Sequence, residues 1–261
     1  MRETFDGFQG GLQIARGMIT NLRYADDIIL LAILGAKLQE LVDRLDRVSR
    51  KYSLLINVDK TKVMASGGIA CRILIQNELL EQVDTFPYLG SLITEDGECT
   101  TEFRTRLHRG QAIEAEDMEK SQHTDFNEDT TDEGASVASA TYGCESWTLR
   151  KNEETRLDAF EMKGLRRMLR VSWTAKKTNE WVLDKAGVKR ELLDTVKARK
   201  LAYYGHTMRK QGSCLEKEIM QGTMPGARRR VRPRTAWMDN IKTWTGLSVQ
   251  GRVNQNDRGQ G

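Results

Sequence analysis

The sequence predicts an α+β fold: a small antiparallel sheet with one helix packed on it, then a mainly α-helical, basic C-terminal region. Three observations carry this expectation. Short apolar runs of strand length alternate with turn residues before residue 100. One long amphipathic segment interrupts them. Beyond residue 140 the apolar positions recur at helical spacing.

Residues 1–20 carry Gly7, Gly10, Gly11 and Gly17 and read as a loop feeding a hairpin. Residues 21–24 and the apolar run 28–34 read as strands around a tight turn at Asp26-Asp27. Gly35 ends the second strand and opens a helix with Leu38, Leu41, Val42, Leu45, Val48 and Tyr52 on one face. Residues 54–58 and 63–65 are expected as short strands around Asp59-Lys60-Thr61. Residues 73–75 and 79–83 flank Gln76-Asn77-Glu78 as a hairpin, and 86–93 is expected as a single strand ending at Glu95-Asp96-Gly97.

In the C-terminal region Met162, Leu165 and Leu169 form an apolar stripe. Beside it Lys163, Arg166, Arg167 and Arg170 fall at i, i+3, i+4 and i+7, a basic stripe suited to phosphate. Thr178 is placed to cap a short helix running toward Gly187. Leu192, Leu193, Val196 and Tyr203 mark another helix, with Lys197, Arg199 and Lys200 expected on its solvated side. Residues 222–233 read as a basic linker, and Trp237, Ile241 and Trp244 predict a last amphipathic turn or two.

The chain has 261 residues, 39% hydrophobic and 30% charged, enough for one large or two small domains with a modest core. The net charge of +4 hides an asymmetry: residues 150–234 hold 23 Lys and Arg against 10 Asp and Glu. Such an excess favours a polyanion partner. The longest apolar run is far too short to span a bilayer, and the N-terminus lacks the apolar core of a signal peptide, so no membrane partner is expected. Four scattered cysteines show no zinc-ligand spacing and read as free thiols. His206 and Cys214 alone are too few for a metal site.

Asp26 and Asp27 are the candidate catalytic pair. Two adjacent carboxylates at a turn packed against a core repel each other and cannot both hydrate freely; a divalent cation resolves the conflict. Magnesium takes one or two carboxylates plus substrate phosphates, as phosphoryl-transfer enzymes arrange it. An ordinary hairpin turn accounts for the same residues, since Asp favours turns.

Tyr24-Ala25-Asp26-Asp27 resembles the signature of the palm hairpin in reverse transcriptases, and residues 21–28 look like its version in non-LTR (LINE-type) retrotransposons. The resemblance continues in order. Residues 52–64 are similar to the next palm motif through Leu54-x-x-Asn57-x-x-Lys60-Thr61. Phe86-Pro87-Tyr88-Leu89-Gly90 resembles the primer grip, and residues 142–147 and 202–209 resemble C-terminal segments of the same elements. Most of the chain is covered.

The resemblance implies a partial polymerase palm and the C-terminal portion of an RNA-directed DNA polymerase. It also implies an RNA template, a DNA primer or nicked DNA target, deoxynucleotide triphosphates and a two-ion Mg2+ site. It makes Asp26 and Asp27 the metal ligands, sets Tyr24 beside the primer terminus and Lys60 near the triphosphate, and makes Phe86, Tyr88, Leu89 and Gly90 the primer contact. On local grounds alone a solvated turn lysine is the favoured reading of Lys60, and the resemblance reverses that; residues 86–90 are equally a core strand with a terminal Gly. The family's further catalytic aspartate and fingers are expected upstream of residue 1, so this chain alone is expected to be nearly inactive.

Arg228, Arg229, Arg230, Arg232 and Arg234 form the strongest basic cluster. It reads as a phosphate-binding run, a nuclear-import signal or a solvated loop. The expected location is intracellular, and nuclear if the import reading holds. The expected organisation is a partial palm over 1–100, a degraded thumb or disordered acidic segment over 101–140, a basic helical region over 141–249 and a disordered tail over 250–261. Residues 114–133 carry nine acidic residues and one basic, too few apolar side chains to offset ordering. The family register stops near Gly110 and resumes near Ala140, as a reading-frame slip would produce. The alternative function is a non-catalytic nucleic-acid-binding remnant using the basic C-terminal region.

Overall fold

The computed structural model describes residue 5 and residues 7–14, 17–121, 133–212, 214–221 and 235–246. They divide into two compact units. The first takes the described residues up to Glu98 together with those of 207–221, and the second takes those of 99–206 and 235–246. The unit boundary thus falls near residue 99, and residues 101–121 and 133–140 belong to the helical second unit rather than standing apart. Residues 207–221, expected within the C-terminal region, group with the first unit.

In the first unit β1 (Leu12–Ile14) and β2 (Gly17–Ile19) pair antiparallel, as do β3 (Asn21–Tyr24) and β4 (Asp27–Leu30). Helix α1 (Gly35–Lys51) comes next, with Leu41, Val42, Leu45 and Val48 buried on the face that its spacing predicts. Tyr52, expected on that face, is its C-cap and is exposed. β5 (Lys62–Val63) runs parallel to β8 (Glu81–Gln82), and β6 (Leu74–Ile75) pairs antiparallel with β7 (Glu78–Leu79). Gln76 and Asn77 close that hairpin with φ of 54° and 65°, the positive pair that matches strand twist.

Two strand expectations are corrected. Residues 86–93 are a hairpin: β9 (Thr85–Tyr88) pairs antiparallel with β10 (Ser91–Thr94) around Leu89 and Gly90, both at positive φ. Residues 54–58 form no strand, because Asn57 diverts the backbone. Its Oδ1 accepts the Lys60 N–H at 2.9 Å and its carbonyl accepts the Thr61 N–H at 3.1 Å and the Thr61 hydroxyl at 2.7 Å. Among the described residues the strands join only in pairs, not in one sheet. A lone pair of strands is marginal in water. Val42, Val63, Ile73, Ile75 and Leu80 supply the shared core, with Leu30, Leu38, Ile56 and Val58 packed against it.

The second unit is helical: α2 (Thr100–Ser121), α3 (Glu133–Ala140), α4 (Lys151–Met168), α5 (Asn179–Ala186) and α6 (Leu192–Arg209), the last three residues of α6 being grouped with the first unit. The short α7 (Leu215–Gln221) lies in the first unit, and α8 (Trp237–Thr245) completes the second. Phe103 and Leu107 anchor α2 in a core with Trp147, Leu157, Phe160 and Val196, which carries the helix into the acidic stretch. Phe103 meets Trp147 edge to face at 5.1 Å, worth about 0.5–1.5 kcal/mol beyond burial. Gly110 lets helices close: a Cβ there would sit 2.9 Å from Ala140 Cβ and 3.0 Å from Phe160 Cζ and the Ser136 carbonyl.

Lys200, expected on the solvated side of α6, is fully buried. Its Nζ donates to the Trp147 carbonyl at 2.7 Å and Asn240 Oδ1 at 2.8 Å, with the rings of Trp237 and Trp244 4.6 and 5.4 Å away. Asn240 also pairs with the backbone of Leu149, accepting its N–H and donating to its carbonyl. Burial pushes the Lys200 ammonium down to about 8.

Candidate nucleic-acid interface and the Asp26-Asp27 turn

The β3–β4 register pairs Tyr24 with Asp27, leaving Ala25 and Asp26 as a two-residue loop. Ala25 takes φ of 50°, a conformation that an L side chain adopts at a cost of about 1–2 kcal/mol. Asn21 and Arg23 share a strand face, and Arg23 Nε donates to Asn21 Oδ1 at 2.7 Å. Tyr24, Asp26 and Asp27 are all exposed. This corrects the electrostatic premise: water reaches both carboxylates, so their adjacency does not by itself require a cation.

The hairpin and the Asn57–Thr61 turn share one core through Leu30, Ile56 and Val58. Lys60 is exposed on that turn, and its backbone N–H is bound to Asn57. The spacing of Asn57, Lys60 and Thr61 therefore has a structural basis in the turn itself. Lys62, close by, pairs with Glu81 at 2.6 Å. Phe86 and Tyr88 are half-buried on β9, while Leu89 and Gly90 are exposed at the turn. Among the described residues no group of three or more His, Cys, Asp or Glu side chains is placed to hold a metal ion. Asp26 and Asp27 alone do not complete the carboxylate set of a two-ion site.

The basic stripe is organised differently. A cleft of about 1040 Å³ in the second unit is lined by Lys163, Arg166, Arg167 and Arg170 of α4 and the turn after it, and by Arg190. Met162 and Leu165 on the adjoining face are buried against Val182 of α5, which fixes the stripe's orientation. The cations differ in exposure. Lys163 and Arg170 are exposed, Arg167 is half-buried and Arg166 is buried. Arg166 donates to the Lys177 carbonyl at 2.7 Å and Asn179 Oδ1 at 3.0 Å, so it also ties α4 to the start of α5.

Arg170 sits just past the end of α4 at φ of 52°. Its N–H reaches the Arg167 carbonyl and that of Val171 reaches the Arg166 carbonyl, the helix-ending pattern usually closed by glycine. An arginine stands there at a cost of about 1–2 kcal/mol in backbone strain. Glu161 of α4 accepts the N–H groups of Glu191 and Leu192 at 2.9 and 3.1 Å, capping α6 and bringing the preceding Arg190 to the cleft. Sequence reasoning missed Arg190. Its contribution depends on a cap formed between residues 30 apart, of which periodicity carries no trace. Lys200 was also missed; its i, i+4 spacing from Val196 was the available signal.

Thr178 caps α5 by accepting the Trp181 N–H at 3.2 Å, and Gly187 ends it at positive φ, both as the sequence predicts. All four cysteines are free, and burial pushes the thiols of Cys99 and Cys144 up, the latter to about 11, so neither is activated. The Arg228, Arg229, Arg230, Arg232 and Arg234 cluster lies outside the described residues. Among the described residues no helix is long and apolar enough to cross a membrane.

No protein-family model matches the chain. It is 28% identical over 213 residues to a transposon-derived, uncharacterized protein of Caenorhabditis elegans, covering 74% of this chain and 73% of that one. The chain is thus similar to a transposon-derived protein. That relationship bears on origin, and the chemistry rests on the residues themselves.

Proposed function

We propose that this chain is part of an RNA-directed DNA polymerase of a non-LTR retrotransposon, and that its described residues bind nucleic acid without forming a complete polymerase centre. The observation that carries the reading is the cleft, where four stripe cations and Arg190 line one concavity. Cations concentrated in a concave site attract a polyanion and release its counterions on binding. The transposon-derived relative supports the origin. The ordered motif series from Tyr24-Ala25-Asp26-Asp27 onward supports the polymerase parentage. RNA template and DNA primer or target are the proposed partners. Asp26 and Asp27 would hold magnesium only with further ligands, so no catalytic step is assigned to them.

The test is fluorescence polarisation of the purified chain with labelled RNA and DNA, beside primer extension with magnesium on an RNA template. We expect binding that weakens steeply between about 50 and 200 mM salt, and no extension from wild type or from the Asp26→Ala, Asp27→Ala variant. Extension by wild type that the double variant loses would establish a working polymerase centre and overturn the non-catalytic half of the reading. Absence of binding at low salt would remove the other half.

A further inference from the structure

We infer that the second unit's cleft takes a single strand of nucleic acid, more than one nucleotide at a time, with phosphates on its cations and sugars against its apolar floor. This rests on the nucleic-acid reading above and adds the form of ligand and the place where it sits. At about 1040 Å³ the cleft lies at the upper end of the roughly 300–1,000 Å³ of small-molecule sites, more than a lone mononucleotide fills. A duplex, whose major groove alone is about 12 Å wide, is broader than such a concavity and meets only its rim. A single strand bends into it. The apolar lining within reach is exposed Ala159 and half-buried Val171, beside the edge of Met162, whose side chain is otherwise packed in the core. No aromatic side chain lines the cleft among the described residues, so stacking platforms are not supplied there. Contacts fall on phosphate and sugar, and the site reads no sequence.

Arg190 is held only loosely. Its Nη1 lies 3.9 Å from Asp158 Oδ2, the long limit of an ion pair, and Asp158 is the one carboxylate among the described residues that lines the cleft. A phosphate draws Arg190 from that loose partner, and Asp158 meanwhile repels the incoming strand. Removing the carboxylate therefore strengthens binding, an effect that misfolding cannot imitate.

The experiment measures affinity of the full chain for a labelled single-stranded oligonucleotide and for the duplex of the same sequence, with wild type and three variants. Ala159→Trp puts a bulky ring at an exposed lining position without changing charge and is expected to weaken single-strand binding about tenfold or more. Arg190→Gln is expected to weaken it and to lower the salt slope by about 0.7. Asp158→Asn is expected to tighten it about two- to fivefold, the range of one exposed ion pair. Equal affinity of wild type for duplex and single strand would overturn the inference, as would displacement of the oligonucleotide by an equimolar deoxynucleoside triphosphate. Binding unchanged by Ala159→Trp and Asp158→Asn would place the nucleic acid elsewhere and leave the broader reading standing. No binding by wild type would remove the broader reading itself.

Discussion

Lys200 is the residue whose surroundings carry the clearest energetic consequence. Burial disfavours its charge, while two oxygen acceptors and two indole faces hold it. Its folded value near 8 lies below the ordinary 10.5, so the unfolded chain holds a proton that the folded chain has released between those limits. Stability therefore rises as pH climbs from about 8 to about 10.5, and this contribution is absent below 8. At 1.36 kcal/mol per pH unit the whole rise is at most about 3 kcal/mol. Urea melts at pH 7 and pH 10 should show the rise in wild type and not in Lys200→Met; equal pH dependence in both would sink the assignment. The same residue shows the limit of one-dimensional reading. A lysine among Lys197 and Arg199 is solvated by default, and only the arrival of Trp237, Asn240 and Trp244 from a distant segment reverses that. Asp26 and Asp27 show the converse. Their turn was legible because chain-local geometry sets it, but their exposure was not, because exposure depends on the elements that pack on the hairpin.

At the scale of elements, local rules were legible where the chain itself supplies the partner. The face of α1, the Thr178 cap, the Gly187 stop and the Gln76-Asn77 turn all arise from neighbours within a few residues. Residues 86–93 misled because Phe86, Tyr88, Leu92 and Ile93 are strand formers and a Leu-Gly turn is a weak signal between them. Residues 54–58 misled because the Asn57 side chain competes with the strand ladder. Gly110 offers a test of helix packing. Alanine there gains up to about 1 kcal/mol of helix propensity. The added Cβ meets the Ser136 carbonyl and Ala140 at 3.0 and 2.9 Å, and overpacking of that kind costs about 1–3 kcal/mol. Gly110→Ala is expected to destabilise the second unit by up to about 2 kcal/mol in chemical denaturation. A stabilised variant would show that α2 and α3 do not approach so closely.

For the whole molecule, charge is the organising quantity. The modest net charge of +4 conceals the excess in residues 150–234, part of which the fold gathers in one cleft. At about −0.7 per phosphate for a single strand, the four cleft cations that reach solvent, Lys163, Arg167, Arg170 and Arg190, give a slope of log K against log salt of about −2.8. A titration over a range of salt concentrations measures it. A slope near about −1 would mean that most of those cations face the protein rather than the ligand. The sequence showed the four stripe cations because helical periodicity places them. It did not show the concavity, which arises from the turn after α4, the start of α5 and Arg190.

The pairing of Lys200 with Asn240 has a consequence in time. Proteins are made from the N-terminus at about 5–20 residues per second, and the two residues are 40 apart. The ammonium therefore leaves the ribosome about 2–8 s before its amide partner does. Through that interval Lys200 lacks its amide partner and Leu149 lacks its side-chain partner. A nascent chain halted before residue 237 therefore lacks the Trp237, Asn240 and Trp244 contacts that enclose Lys200.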